Sequence, residues 1–304
     1  MENVILKSMD GYELSLNIYK VDNSKGYVQV IHGMQEHQNR YIILANHLNS
    51  LGYTVITSDI RGHGPNAKEL GYFAEKDGYK LVLEDQKVIT NYIKEIFNTD
   101  KVILFAHSMG TIITRNLLQT ESDNYEKVIL SGYPNYQFAV NFGVIIGKII
   151  RTFKGGKYYS KLLTDLSVGS FNKQIKNPRT NLDWLSYNET NIDKYIEDPL
   201  CGFPFKTSAF VDLFTMLANM NKKKNFTNIN NIPLLLIAGE DDPCIGSRKG
   251  QENSIIALKE VGFTNIKEIT YKNMRHEILN EKNYIDILND ITIFLKGGNL
   301  DEKN

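Results

Sequence analysis

The 304-residue chain lacks the features of exported, membrane-spanning or disulfide-stabilised proteins. Its two cysteines, Cys201 and Cys244, are too few for a disulfide framework, so we expect free thiols in a reducing compartment. No run approaches the roughly 20 apolar residues of a membrane span, and the N-terminal residues do not form a signal-peptide pattern. We therefore expect a cytoplasmic protein.

Neither sign of charge is in excess, because Lys and Arg total 35 and Asp and Glu also total 35. A chain without a net field has no general attraction for nucleic acid, so we expect no nucleic-acid partner. The length allows one large buried core, and a hydrophobic content of 42% is typical of globular proteins.

Short apolar runs alternate with longer amphipathic stretches, a pattern typical of a largely parallel sheet covered by helices on both faces. Asp10-Gly11 separates two further segments, which we expect to form a hairpin at the sheet edge because Asp-Gly favours such turns. The predicted strands of the alternating part are Tyr27–Ile31, Tyr53–Ser58, Val102–Ala106, Lys127–Ser131, Pro233–Ala238 and Ile266–Tyr271. The predicted helices are His37–Ser50, Leu81–Phe97, Met109–Thr120, Gly246–Val261 and Asn280–Leu295.

One long stretch contains no run that resembles a buried strand, and it is rich in aromatic, basic and small residues. We interpret it as an insertion, called here the cap, over residues 133–205. The remaining residues, 1–132 and 206–304, form the predicted core.

A serine with small neighbours follows the predicted strand Val102–Ala106. In Ala106-His-Ser108-Met-Gly110 the serine lies between a strand and a helix, and Ala106 and Gly110 let these two elements approach. This is the pattern of a nucleophile elbow, in which a strained turn exposes the hydroxyl. The alternative is an ordinary helix cap.

A serine hydroxyl needs a base, and the base needs an acid that orients it. His276 is the one histidine of six that follows the last predicted strand, and it is the predicted base. The loop after Pro233–Ala238 contains Glu240, Asp241 and Asp242. We favour Asp242, which precedes a proline, and Glu240 and Asp241 remain alternatives.

Backbone amides are the expected donors to the oxyanion that forms during acyl transfer. The amide of Met109 follows the nucleophile at a helix start, where N–H groups lack helical partners. The amide of Met34 lies in the loop after Tyr27–Ile31, where Gly33 lets the backbone turn toward the site. Both are predicted oxyanion donors.

With these motifs, the chain resembles the monoacylglycerol lipase and lysophospholipase-like branch of the α/β-hydrolases, also called the serine aminopeptidase S33 or Hydrolase_4 group. The motifs extend over nearly the whole chain. They are His32-Gly-Met-Gln-Glu-His37 with Arg40-Tyr41, Asp59-Ile-Arg-Gly-His-Gly64, His107-Ser-Met-Gly110, Gly239-Glu-Asp-Asp242, and Arg275-His-Glu277 with Asn280-Glu281. The chain departs from the family pattern at Ala106 and at Gln35, where the family often has glycine.

The resemblance implies an α/β-hydrolase fold, with a mostly parallel eight-stranded sheet, flanking helices and a helical cap inserted after strand 6. It also implies a triad of Ser108, Asp242 and His276. The implied activity is hydrolysis of carboxylic esters such as monoacylglycerols or lysophospholipids through an acyl-enzyme, with no cofactor. The chain has no metal-binding motif, so no metal is expected.

The cap is expected to shape the substrate pocket. In Phe138–Phe153 apolar residues recur at helical spacing beside Lys148, Arg151, Lys154 and Lys157, which indicates a helix that either packs over the site or rests transiently on an anionic membrane. We expect Trp184 and Tyr187 to pack in the pocket wall, and a monomer or homodimer. The predicted substrate contacts are Gly33, His107, Ile145, Ile149, Phe203 and Cys244.

Two other functions remain open. The fold also hosts thioesterases, peptidases and C–C hydrolases, whereas the epoxide hydrolases and dehalogenases usually carry aspartate where this chain has Ser108. A non-catalytic ligand-binding homologue is the second alternative, although such proteins commonly lose a triad residue.

Overall fold

An eight-stranded sheet forms the centre of the protein. The computed structural model describes residues 1–136, 139–298 and 300. Within them the strand order is β1-β2-β4-β3-β5-β6-β7-β8. The strands are β1 (Glu2–Lys7), β2 (Glu13–Tyr19), β3 (Tyr27–Ile31), β4 (Thr54–Ser58), β5 (Val102–His107), β6 (Tyr125–Ser131), β7 (Leu234–Gly239) and β8 (Ile266–Tyr271).

The sheet is mostly parallel, as predicted. Strands β3 to β8 pair in parallel, whereas β1 and β2 form an antiparallel hairpin at one edge. Gly11 turns this hairpin with a φ of 79°, a conformation that glycine adopts without strain. Because β3 lies between β4 and β5, the loops that follow β3 and β5 diverge and leave a crevice at the carboxyl ends of the strands, where open sheets bind ligands.

Helices cover both faces of the sheet. On one face α1 and α9 pack on alternate strand residues such as Val30 and Phe105, and on the other α2, α3, α7 and α8 pack on Ile31 and Leu104. The described helices are α1 (Ile42–Ser50), α2 (Gly78–Phe97), α3 (Met109–Leu117), α4 (Val140–Lys154), α5 (Lys161–Ser167), α6 (Glu189–Glu197), α7 (Thr207–Asn219), α8 (Ser247–Glu260) and α9 (Tyr284–Leu295).

The predicted elements of the core are confirmed, with small changes at their ends. The first predicted helix is a 3-10 turn, Gln38–Tyr41, followed by α1. The last predicted helix begins at Tyr284, because Ile278–Asn280 forms a separate 3-10 turn. None of the helices in the described part of the chain has both the length and the hydrophobicity to cross a bilayer.

The cap residues that the structure describes contain α4, α5, α6 and short 3-10 turns, and none of the eight strands. The predicted cap helix is observed from Val140, and Phe138, its predicted first residue, lies outside the described residues. Helix α4 packs closely along α7 of the core. A Cβ at Gly143 would lie 3.0 Å from the Phe214 ring, and one at Gly147 would lie 2.7 Å from a methyl carbon of Val211. Glycine at both positions therefore permits this close approach.

Candidate active site

Ser108 lies at the turn between β5 and α3, with the strained backbone angles φ 50° and ψ −117°. Its N–H donates to the carbonyl of Ser131 at 2.9 Å, which fixes the turn against β6. A Cβ at Gly110 would overlap the backbone carbonyls at the end of β3, so α3 needs glycine at this position. Ala106, the departure from the family pattern, is fully buried. This geometry is that of a nucleophile elbow.

The structure brings Ser108, His276 and Asp242 together. The Nε2 atom of His276 lies 2.8 Å from Ser108 Oγ, and its Nδ1 atom lies 2.8 Å from Asp242 Oδ2. A carboxylate only accepts hydrogen bonds, so Nδ1–H donates to Asp242, and Nε2 is left to accept the serine proton. The arrangement is that of an activated serine.

Of the three acids in the loop after β7, only Asp242 is buried and points to the base. Glu240 and Asp241 are exposed, and the carboxylate of Asp241 accepts from the Tyr187 hydroxyl at 3.0 Å. The second oxygen of Asp242 accepts from the amide of Cys244 at 2.8 Å. Both carboxylate oxygens of Asp242 are therefore held in place.

The environment of His276 favours the imidazolium. Burial alone would lower the pKa of His276, but the Asp242 carboxylate outweighs it and raises the pKa above its usual value of 6.5. Two rings flank the imidazole, with centroids 4.8 Å away for His107 and 5.0 Å away for Trp184. Burial, with a smaller effect of His276, lowers the pKa of His107 to about 4, so this neighbour stays neutral.

The amides of Met34 and Met109 are available to an oxyanion. Both residues line the same cavity as Ser108. Neither backbone N–H donates a hydrogen bond to any residue that the structure describes. Two unpartnered amides beside the nucleophile suit the stabilisation of a developing negative charge.

The loop of residues 33–37, called here the oxyanion loop, is held by buried polar groups. The Gly33 amide donates to Glu36 Oε1, and the Gly33 carbonyl accepts from Nδ1 of His32 at 2.7 Å. The other nitrogen of His32 accepts from the Ile60 amide at 3.0 Å, which requires a neutral ring. Burial lowers the pKa of His32 to about 3, in agreement with this role.

An ion-pair network behind the site was not given a role from the sequence. The guanidinium of Arg40 pairs with both oxygens of Glu277, at 2.9 and 2.6 Å, and lies 3.7 Å from Glu36. Burial would raise the pKa of Glu277, but Arg40 lowers it, so this residue stays ionised. Because Glu277 follows His276 and Glu36 holds Gly33, the network joins the base to the oxyanion loop. The motif residues signalled it, but their pairing across 237 positions did not.

A cavity of about 730 Å³ lies between the core and the cap and contains the Ser108–His276 pair. The predicted substrate contacts Gly33, His107 and Cys244 all line it, as does Trp184. Burial raises the pKa of the Cys244 thiol well above its usual value of 9.0, so this cysteine carries little thiolate. We therefore expect Cys244 to react slowly with alkylating reagents.

The structure corrects three of the predicted substrate contacts. Ile145 and Ile149 are 55% and 52% exposed on the outer face of α4, and Ile146 lines the cavity instead. The helical spacing had identified an apolar stripe that faces outward. Phe203 is buried with its ring 5.2 Å from the ring of His63, beneath the cavity wall, because the cap returns to the core there. Tyr187 is also exposed and lies over Arg275.

Two clusters bring three possible metal ligands within 4.8 Å of one another: His37 with Asp198 and Cys201, and Asp242 with Cys244 and His276. In each cluster the histidine and the carboxylate are 2.8 Å apart. Two ligands of a tetrahedral zinc ion lie roughly 3.4 Å apart, given bonds of about 2.1 Å. As they stand, both pairs have the spacing of a hydrogen bond. That no metal takes part stays a prediction.

Comparisons with known proteins agree with this geometry. A family model described as Hydrolase_4 (serine aminopeptidase, S33) matches residues 22–283. The chain is 24% identical to the human monoglyceride lipase over 255 residues, which is 80% of this chain and 74% of that protein. It is 22% identical to the probable lysophospholipase L2 of Haemophilus influenzae over 278 residues, 88% of this chain and 82% of that one.

Among solved structures, a thermostable carboxyl esterase from Bacillus coagulans, in complex with glycerol, matches with a TM-score of 0.89 and 24% identity. The match covers 97% of this chain and 98% of the esterase. It confirms the predicted α/β-hydrolase fold.

Proposed function

We propose, because the chain belongs to the Hydrolase_4 family (serine aminopeptidase, S33), that it is a serine hydrolase that cleaves carboxylic esters through an acyl-enzyme. The observation that carries this proposal is the chain of two 2.8 Å contacts from Ser108 through His276 to Asp242. The names of the relatives, monoglyceride lipase and lysophospholipase, support an ester substrate.

The proposed reaction has two halves. His276 Nε2 takes the Ser108 proton as Oγ attacks the ester carbonyl, and the amides of Met34 and Met109 stabilise the oxyanion. The imidazolium then protonates the departing alcohol, and the C–O bond of the ester breaks to leave acyl-Ser108. A water molecule, deprotonated by His276, attacks the acyl group, and the acid leaves as Ser108 regains its proton. Asp242 stabilises the imidazolium in both halves.

We propose a substrate with a single acyl chain. Between α4 and α7 the cavity wall is apolar, which suits an acyl chain, whereas the wall near α5 contains polar side chains such as Asn172 and Asn181. The apolar part is lined by Val140, Ile146, Leu213, Phe214 and Leu217. A monoacylglycerol or lysophospholipid has one acyl chain and one polar head group, which matches this division.

Labelling with a fluorophosphonate tests the mechanism. We expect the folded protein to be labelled, Ser108→Ala to lose labelling and ester hydrolysis, and Ser50→Ala, which alters an exposed serine on α1, to retain both. Hydrolysis of p-nitrophenyl esters, monoacylglycerols and lysophospholipids of increasing chain length then defines the substrate. Undiminished labelling of Ser108→Ala would contradict the proposal.

We further propose that the cap, residues 133–205, is a separate lid unit whose outer face contacts anionic membranes transiently. On this face Ile145, Ile149 and Phe153 are exposed. Lys148 and Lys154 lie near them, and neither pairs with a carboxylate among the described residues. Exposed apolar side chains beside unpaired lysines suit a surface of anionic lipid. The protein itself is proposed to be cytoplasmic, in line with its two free cysteines.

Vesicle sedimentation tests the membrane contact. We expect binding to phosphatidylcholine vesicles that contain phosphatidylglycerol, weaker binding without it, and loss of binding in Ile149→Glu. Ile256→Glu is the matched control, because Ile256 is equally exposed, at 53%, but lies on α8 of the core. Equal binding of the two variants would contradict the proposal.

A further inference from the structure

Gln35 is the residue of the oxyanion loop whose backbone is left-handed, with a φ of 59°. For residues other than glycine this region is disfavoured, because Cβ approaches the following carbonyl oxygen. Glycine would adopt the same angles without strain. Other contacts must therefore hold Gln35 in place.

Gln35 is tied to the cap by both its backbone and its side chain. Its carbonyl oxygen accepts from the Tyr195 hydroxyl at 2.7 Å and from the Gly202 amide at 2.9 Å. Its side-chain amide donates to the carbonyl of Phe203. All three partners belong to the part of the cap that returns to the core. A fourth contact, from the Gln35 amide to Nε2 of His63 at 3.3 Å, is to the core.

These contacts determine one end of the peptide that carries Met34. At the other end, Gly33 is fixed by Glu36 and His32, as described above. The Met34 amide lies between two anchored residues, and only the anchor at Gln35 comes from the cap. A rotation at Gln35 would therefore turn the Met34 amide away from the oxyanion position.

We propose that Gln35 is a positioning residue, which holds the Met34 amide toward the oxyanion by binding the oxyanion loop to the returning segment of the cap. This inference rests on the proposed hydrolase function. The oxyanion exists only in the transition state and the tetrahedral intermediate, so loss of this anchor weakens transition-state binding much more than substrate binding.

Two substitutions at Gln35 separate the anchor from the backbone strain. Gln35→Ala removes the side-chain contact and keeps the strained φ, whereas Gln35→Gly removes both. We expect kcat to fall about 10-fold to 100-fold in each variant, less than the full loss of an oxyanion donor, with KM changed less than about threefold. The affinity for a trifluoromethyl ketone, whose adduct places an oxyanion in the site, should fall in proportion to kcat/KM.

Two further variants control this experiment. Tyr195→Phe removes one hydrogen bond to Gln35 from the cap side, and we expect kcat to fall about 3-fold to 10-fold with the same inhibitor trend. Asn98→Ala changes another left-handed residue, with a φ of 49°, at the C-terminal end of α2, away from the carboxyl edge of the sheet. Its kcat should stay within about twofold of wild type.

The result for Gln35→Gly decides the proposal. If kcat and inhibitor affinity stay within about twofold of wild type, glycine replaces Gln35 without loss, and the inference is wrong although the hydrolase function stands. A raised KM with unchanged kcat would make Gln35 a substrate contact and would also contradict it. If the wild-type protein neither hydrolyses esters nor reacts with the fluorophosphonate, the proposed function itself fails.

Discussion

The two walls of the cavity are built from different materials. On the core side, Ser108, His276, Asp242 and the oxyanion loop are buried or half-buried and are held by hydrogen bonds to one another or to the sheet. On the cap side, α4 contributes apolar side chains and packs on α7 through glycines. One wall is fixed by directional contacts and the other by shape.

The difference follows from what each wall is proposed to do. Stabilising a developing charge requires donors and acceptors in fixed positions, and small displacements reduce the rate strongly. Holding an acyl chain requires only apolar surface of suitable shape, which tolerates side-chain exchange. We therefore expect substitutions in the core wall to change the rate for all esters, and substitutions in the cap wall to change the preference among them.

The largest effect on the core wall is expected for Asp242→Asn. The amide no longer holds the Nδ1–H tautomer of His276, so kcat should fall about 10³-fold to 10⁴-fold for every ester. Because Asp242 raises the pKa of His276, and the base acts when neutral, wild-type kcat/KM should decline as the pH falls through a value above 6.5. In Asp242→Asn this inflection should move to lower pH.

Asp241→Asn is the matched control for this experiment, because Asp241 is adjacent but exposed. It should retain wild-type rates and the wild-type pH profile. An unchanged inflection in Asp242→Asn, or an equal loss in Asp241→Asn, would remove the distinction between the directional wall and its surroundings.

A smaller effect, on stability and not on rate, is expected where the core supports the cap. Asp212 is buried on α7, and its Oδ2 atom has no hydrogen-bond partner among the described residues. Burial raises its pKa from 3.8 to about 7. Between these values the folded state holds a proton that the unfolded state has released, so the free energy of unfolding falls as the pH rises through this window.

Asp212→Asn removes this penalty. We expect the variant to be more stable than wild type by up to about 4 kcal/mol above pH 7, and little changed below about pH 4, in urea unfolding at several pH values. Asp100→Asn, at an exposed aspartate, should show no such pH dependence. No gain in Asp212→Asn at high pH would mean that the folded protein accommodates the charge.

The sequence predicted the directional wall better than the apolar one. Ser108 and Gly110 must satisfy a steric condition at a strand-to-helix turn, and this condition is visible in five consecutive residues. The order of strands places His276 and Asp242 at the same sheet edge. By contrast, the pairing of Arg40 with Glu277 depends on how distant loops fold together, and local patterns contain no information on it.

The cap helix shows why the remaining contacts were not predictable. Spacing identified Ile145 and Ile149 as one stripe, but α4 has apolar residues around most of its circumference. A periodic pattern defines faces of a helix and not which face meets a neighbour. Gly143 and Gly147 mark the face that packs on α7, and their role is clear only once α7 is in place.

The smallest effect is expected in the cap wall itself, where two adjacent isoleucines provide a matched pair. Ile146→Trp adds bulk on the cavity side of α4, so kcat/KM for long-chain esters should fall about 10-fold, which is about 1.4 kcal/mol, while p-nitrophenyl acetate is hydrolysed at the wild-type rate. Ile145→Trp adds the same bulk on the exposed side and should change neither rate in a detergent-free assay. If both variants shift chain-length preference equally, bulk on either side of α4 alters the cavity, and the cap acts by moving as a unit. If Ile146→Trp slows all esters alike, the apolar wall also positions the reacting carbonyl, because a residue that only accommodates the chain cannot affect an acetate that does not reach it.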